Sequence, residues 1–260
     1  MTSFGQRAQT VHLAIESIGR GQVRPSRLIL WIDEEGLKQH PPAGLRRLEK
    51  RGLEMRFCKN FGPHKKYYPY VESSEALELP LVTADDDLLY PYKWLNNLVE
   101  QFKKHPEVVN CYRARVISLD DTGLANYSQW GFARSTTASF RHFAGSGAGA
   151  IYPPSLQRAL KREGAWFMTC CPKADDIWLH LQAIRAGYKI RQIEMRQFRI
   201  VCIPHTQEFA LWNSNVSGND DQVRATYSAA DIRILRDEAL LSARSDAGDA
   251  GDEAFRESRS

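Results

Sequence analysis

Leu79-Pro80-Leu81-Val82-Thr83-Ala84-Asp85-Asp86-Asp87-Leu88-Leu89-Tyr90-Pro91 is where an apolar run meets three consecutive carboxylates. The run Leu79 to Val82 predicts a buried strand. After the acids comes Tyr90-Pro91-Tyr92-Lys93-Trp94-Leu95, whose proline suits the first turn of a helix. The acids therefore fall on the turn leaving the C-terminal end of a strand, the edge at which open α/β sheets bind ligands. Neighbouring like charges raise one another's pKa, and a divalent cation relieves the repulsion. Carboxylate oxygens suit Mg²⁺ or Mn²⁺, and Mg²⁺ is usually shared between one or two carboxylates and substrate phosphates. The plain alternative is an acidic surface turn.

Upstream, Val11, Ala14, Ile15 and Ile18 have the spacing of an amphipathic helix. Arg27 to Asp33 predicts a buried strand ending in an acid, and Leu45 to Lys50 a short basic helix stopped by Gly52. Leu53 to Phe57 alternates like a strand. Gly62-Pro63-His64 predicts a turn, with a helix beginning near Lys65. Downstream, Trp94 to Lys104 is helical in period, and Val108 to Tyr112 and Arg115 to Leu119 are strand-like. Alternating strands and helices over about 120 residues predict an α/β domain with a mostly parallel sheet flanked by helices. Beyond it, Asp175 to Ala186 and Ala229 to Leu241 predict helices, and Lys189 to Ile193 and Phe198 to Ile203 strands. His205 to Asp221 predicts a long polar loop. The end, 244–260, is polar, small and charged, and predicts a disordered tail.

With 260 residues the chain suffices for one large α/β domain. No run approaches the ~20 apolar residues that span a bilayer, and the polar N-terminus carries no secretory signal. Five cysteines, Cys58, Cys111, Cys170, Cys171 and Cys202, lack paired spacing, which predicts packing thiols in a reducing compartment, the cytoplasm. The net charge of +4 is spread thinly, against a nucleic-acid binder. It is compatible with weak attraction to anionic lipid or a phosphate-bearing substrate. Only Met1 to Phe4 precede Gly5, where a nucleotide-binding α/β domain opens with a full strand. Residues 1–4 are expected to be a clipped first strand, which in the gene extends upstream of Met1.

Several stretches together resemble a family of bacterial GT-A-fold glycosyltransferases, family 2-like, found among polysaccharide-assembly enzymes. They are Thr2-Ser3-Phe4 with Arg7, Ile29-Leu30-Trp31, Gly62-Pro63-His64-Lys65-Lys66, Thr83 to Pro91, Gly145 to Pro154, Ala174-Asp175-Asp176-Ile177-Trp178, and Leu211 to Asn215 with Asn219-Asp220. The resemblance runs from the chain's start to about residue 225. It implies a GT-A-like domain over residues 1–243, with a nucleotide-sugar half at 1–120 and an acceptor half at 121–243. It also implies Mn²⁺ or Mg²⁺, a nucleotide-sugar donor with UDP-sugars foremost, and a saccharide or lipid-linked saccharide acceptor. Peripheral association with the inner membrane face would follow from such an acceptor.

The implied roles follow residue by residue. Asp85 and Asp86 meet the donor, and Asp85 and Asp87 the metal, with Asp87 the favoured direct ligand. Asp176 acts as general base, taking the proton of the attacking hydroxyl, and Asp175 beside it is the favoured helix cap. Capping of the helix start by these acids is the plain alternative. Lys65 and Lys66 contact the diphosphate; otherwise they are solvated lysines. Gly147 belongs to a close-packed loop beneath the sugar, where a side chain would clash; otherwise Gly145 to Gly149 is a flexible hairpin. Phe4, Arg7 and Asp33 face the nucleoside, although strand-end capping would equally explain Asp33. His205 completes the metal site and Trp212 stacks on a sugar as part of a lid.

Overall fold

In the computed structural model, two parallel strands, Leu28–Ile32 and Leu53–Phe57, pair residue for residue from Leu28↔Leu53 to Ile32↔Phe57. Helix Val11–Gly19 packs on the same unit through buried Val11, Ala14, Ile15 and Ile18, the stripe its sequence marks. The structure described comprises all residues except 122, 197–199, 205, 207–217 and 258–260, with the side chains of 244–257 also left aside. A second sheet has four strands in the order Ile190–Gln192, Val109–Cys111, Ala150–Tyr152 and Leu81–Thr83. Ile190–Gln192 runs parallel to Val109–Cys111, whereas Ala150–Tyr152 runs against both neighbours. The α/β class expected from the sequence is the class of this chain. The antiparallel strand comes from a stretch the sequence presents as a glycine-rich loop.

One apolar cluster includes Leu30, Ile32, Leu45, Trp94, Leu98 and Ile151. The other includes Tyr67, Tyr152, Phe143, Phe167, Trp178 and Leu235. Adjacent residues of one strand, Ile151 and Tyr152, thus feed different clusters, as the period-two geometry of a strand requires.

Several elements differ at their edges from expectation. Leu79 is 57% exposed, and the strand starts at Leu81 instead. Pro91 lies ahead of the helix Trp94–Lys104, and its carbonyl accepts from the Trp94 amide. Between the acids and that proline, Leu88–Leu89 pairs with Val201–Cys202. Gly62–Lys66 is a 3₁₀ turn, with the helix delayed to Tyr68–Ser73. Two further helices, Pro154–Glu163 and Asn219–Thr226, flank the second half, and a last helix runs Ala229–Glu257. Residues 1–2 do join the sheet: Thr2 bridges in parallel to Trp31, and the Trp31 amide donates to the Met1 carbonyl.

Candidate active site

The acidic turn lies between Leu81–Thr83 and Leu88–Leu89, so both flanks are tied into sheets. Its three acids divide between two cations. Arg7 Nη2 lies 2.8 Å from Asp86 and 2.5 Å from Asp87, with both carboxylates nearly sealed. Ser3 Oγ donates to Asp86 at 2.6 Å. Asp85 turns the other way, to Lys66 Nζ at 2.7 Å, and is the open member, with 36% of its side chain exposed. Burial pushes the Asp86 carboxyl up to about 6, although Arg7 opposes this. Burial also acts on Asp85, but Lys66 outweighs it and holds that carboxyl below its usual range.

Across the site, helix Asp175–Arg185 begins with the second pair of acids. Its N-cap is Ala174, which makes no side-chain cap, and Asp175 is buried with its carboxylate turned to Lys66 Nζ at 3.0 Å. Asp175, expected as the cap, thus stands in the first turn, where the helix dipole favours an acid, and its carboxylate is engaged by Lys66. Ser146 joins the two sides. Its hydroxyl donates to Asp175 at 3.0 Å and accepts from Lys66 at 2.9 Å, while its amide donates to Asp176 at 3.0 Å. Asp176 is half-buried. Desolvation first, and the neighbouring Asp175 charge second, push its carboxyl up to about 7. A carboxylate with such a pKa exchanges protons readily near neutral pH.

The lysines are not solvated. Lys65 is 3% exposed and ion-paired with Asp33, and Lys66 is 8% exposed between Asp85 and Asp175. Burial alone would lower the Lys66 pKa, yet Asp175 and Asp85 raise it well above its ordinary value. Gly62 places this turn: a Cβ there would come 2.7 Å from the Pro172 carbonyl, at a positive φ of 57°. His64 then reaches across to the Cys171 carbonyl at 2.8 Å and stacks on Phe167.

The Gly145 to Gly149 run is no flexible hairpin. Ser146–Ala148 forms a buried 3₁₀ turn, and a Cβ on Gly147 would overlap the Asp85 carboxylate, 1.7 Å from Oδ2. Tyr90 fixes the same approach. Its hydroxyl donates to the Gly147 carbonyl at 2.7 Å and accepts from the Asp85 amide at 2.7 Å. Ser3, Tyr90 and Ser146 were absent from the candidates read off the sequence. A lone hydroxyl beside a motif carries no periodic signal, although all three lie within the stretches that carry the family resemblance. Phe4 is 37% exposed, with the Arg7 guanidinium 5.9 Å from its ring. His205 and Trp212 lie outside the described residues.

Carboxylate oxygens are of the kind a hard divalent cation takes, and five carboxylates lie about two cations, Asp86 and Asp87 at Arg7 and Asp85, Asp175 and Asp176 near Lys66. The excess negative charge and the open Asp85 fit such an ion. Among the described residues no three His, Cys, Asp or Glu converge, but Mg²⁺ shared with substrate phosphates needs only one or two carboxylates. Asp87, the expected direct ligand, has its carboxylate against Arg7. Among the described residues no helix is long and apolar enough to cross a membrane.

No protein-family model matches the chain, and no curated protein matches it. Among solved structures, the chain is similar to 4-diphosphocytidyl-2C-methyl-D-erythritol synthase from Anaerococcus prevotii DSM 20548. The TM-score is 0.47 at 10% sequence identity, over 80% of this chain and 86% of that one.

Proposed function

We propose that the chain is a glycosyltransferase that moves a sugar from a nucleotide-sugar donor to a saccharide hydroxyl with inversion. The observation that carries this reading is the meeting of two acidic segments, 85–87 and 175–176, through Lys66 and Ser146 at one sheet edge. Residues 1–120 would hold the donor and 121–243 the acceptor. Asp176 takes the acceptor hydroxyl proton as the new C–O bond forms at the anomeric carbon. The bond from that carbon to the diphosphate oxygen breaks, and the nucleoside diphosphate leaves with the electron pair through an oxocarbenium-like transition state. Ser146 orients Asp176, and Lys66 fixes Asp175 and Asp85 relative to each other. Asp85 would hold a divalent cation, which when bound neutralises charge on the leaving diphosphate.

A second reading, nucleotidyl transfer, is favoured by one feature. Gly5 turns at a positive φ of 54° directly after the Met1–Thr2 pairing and brings Arg7 to the acids. Such an enzyme needs a cation-bearing turn after its first strand for a triphosphate.

A panel of sugar nucleotides and nucleoside triphosphates, scored by thermal shift with Mn²⁺ and with EDTA, tests both. Ligands that bind only the folded chain raise its apparent stability. Release of nucleoside diphosphate with a glycosylated acceptor supports the first reading. Release of pyrophosphate, or a shift with triphosphates alone, replaces it with the second.

A further inference from the structure

A small antiparallel sheet leads away from Asp176. Its strands run in the order His142–Ala144, Ala114–Val116 and Gly131–Phe132. Phe143 pairs with Arg115, and Arg115 with Phe132, so these three side chains form a row on one face. At the next rung the Ala133 amide donates to the Ala114 carbonyl at 3.0 Å. Gln192 completes that rung, its side chain accepting from the Ala114 amide and donating to the Ala133 carbonyl. Arg113 and Arg134 are the next residues beyond it, one from each strand. By the period of two they share the face of Arg115 and Phe132.

This face is cationic, aromatic and open. Arg113 and Arg115 are half-buried, Arg134 is exposed, and Phe132 is 52% exposed. The Arg115 guanidinium lies 4.9 Å from the Phe132 ring and 5.4 Å from the Tyr127 ring. Tyr127 links the face to the acids: burial raises its hydroxyl pKa, the Asp176 charge adds to this, and Arg115 opposes it. Gly145 makes a second link. Its amide donates to the Arg113 carbonyl at 2.8 Å, and a Cβ on it would stand 4.0 Å from Arg113 Cδ. The next residue, Ser146, gives its amide to Asp176 at 3.0 Å. Like charges at neighbouring positions of a strand pair are destabilising, and an anion between them removes that cost.

We propose that this face is the acceptor subsite and that the acceptor saccharide carries an anionic group, carboxylate or phosphate, close to the hydroxyl that is glycosylated, an assignment that rests on the glycosyl-transfer reading given to Asp176. Arg113 and Arg134 take the anion, because a guanidinium fork matches a carboxylate or a phosphate with two parallel hydrogen bonds. The Phe132 ring, backed by Arg115, gives the C–H face of the sugar a flat apolar surface. The neighbouring hydroxyl then falls on the Tyr127 side, toward Asp176.

Calorimetry without nucleotide tests this with three probes of equal length: an oligogalacturonate, a phosphorylated oligomannose and an uncharged malto-oligosaccharide. One charged probe should bind about tenfold or more tighter than the uncharged one, and which of the two does so separates carboxylate from phosphate. Arg113→Gln with Arg134→Gln should remove the preference, and Arg134→Gln alone, at an exposed position, should remove part of it. Arg46→Gln with Arg47→Gln takes the same charge from helix Ala43–Glu49, outside this sheet, and should leave the preference intact. Equal binding of the three probes, or binding of none, would overturn the subsite. So would a preference that survives loss of Arg113 and Arg134, or that falls equally with Arg46 and Arg47. None of these outcomes touches glycosyl transfer, which the sugar-nucleotide panel decides. Absence of transfer from every sugar nucleotide, with arginine-dependent binding intact, would instead overturn the role of this face in accepting a sugar.

Discussion

On the 85–87 turn each carboxylate has a cation against it, whereas across the site the two acids of the Asp175–Arg185 helix are treated unequally. Arg7 lies between Asp86 and Asp87, and Lys66 holds Asp85. Asp175 shares Lys66, but Asp176 has no ion pair among the described residues and receives the Ser146 amide. The consequence is chemical. Asp85, paired, is held below the usual carboxylate range, and Asp176, unpaired, rises to about 7. The contrast is between two residues, since Asp86 beside Arg7 is also pushed up by burial, to about 6: Asp85 is held charged and Asp176 is poised to exchange a proton, which suits binding to one and base chemistry to the other.

The largest expected effect tests that division. Asp176→Asn keeps the shape and the Ser146 contact but cannot accept a proton. Turnover should fall by roughly 10²–10⁴-fold, with donor affinity by calorimetry nearly unchanged. Asp85→Asn should do the reverse, weakening donor binding more than turnover at saturation. Near-normal turnover in Asp176→Asn would break the comparison.

Next comes the cation that the two regions share. Lys66→Met leaves Asp85 and the buried Asp175 facing each other without it. Breaking a buried pair in this way costs about 3–5 kcal/mol, and the solvent open to Asp85 reduces this to about 3. Urea denaturation should show the loss, and adding Asp175→Asn should recover part of it. If Lys66→Met is as stable as the parent, the bridge is not structural. Gly147→Ala should cost less, about 1–3 kcal/mol, because the new methyl must push the Asp85 carboxylate off Lys66. Donor affinity should fall with it, and unchanged affinity would detach Asp85 from the donor.

How much of this was legible in the sequence depended on range. Strand Leu53–Phe57 and helix Trp94–Lys104 occupy the limits their periodicities set, because each is long enough to show its period. Strand Ala150–Tyr152 is three residues long and follows a glycine run, so it shows none. The acids were legible as acids. Their partners were not, since Arg7 and Asp86 meet only after the chain has folded over many intervening residues. The same limit hid the burial of Lys65 and Lys66, whose sequence has the look of a solvated basic pair. Glycine was informative in one place: a close-packed role was expected for Gly147, and the atoms that would clash belong to Asp85.

The smallest expected effect is on pH dependence, and it sharpens the comparison most. An unfolded Asp titrates near ~3.9, and Asp176 in the folded chain titrates near 7. Between those values the folded chain holds a proton that the unfolded chain has released. The contribution of Asp176 to stability therefore falls as pH rises from about 4 to about 7, and is level above that. Asp176→Asn removes this contribution and leaves the part due to Asp86, whose carboxyl burial pushes up to about 6. The variant should gain about 1 kcal/mol on the parent at pH 8, after allowance for the solvent reaching a half-buried carboxylate, and nothing at pH 4. The same proton governs rate. In the parent, kcat/KM should climb through about pH 7 to a plateau, because the base works only when ionised. The residual activity of Asp176→Asn should lack that limb. A limb that persists in Asp176→Asn would assign it to another group and leave Asp176 a structural acid. A stability slope without a rate limb would mean that Asp176 titrates but does not take the acceptor's proton.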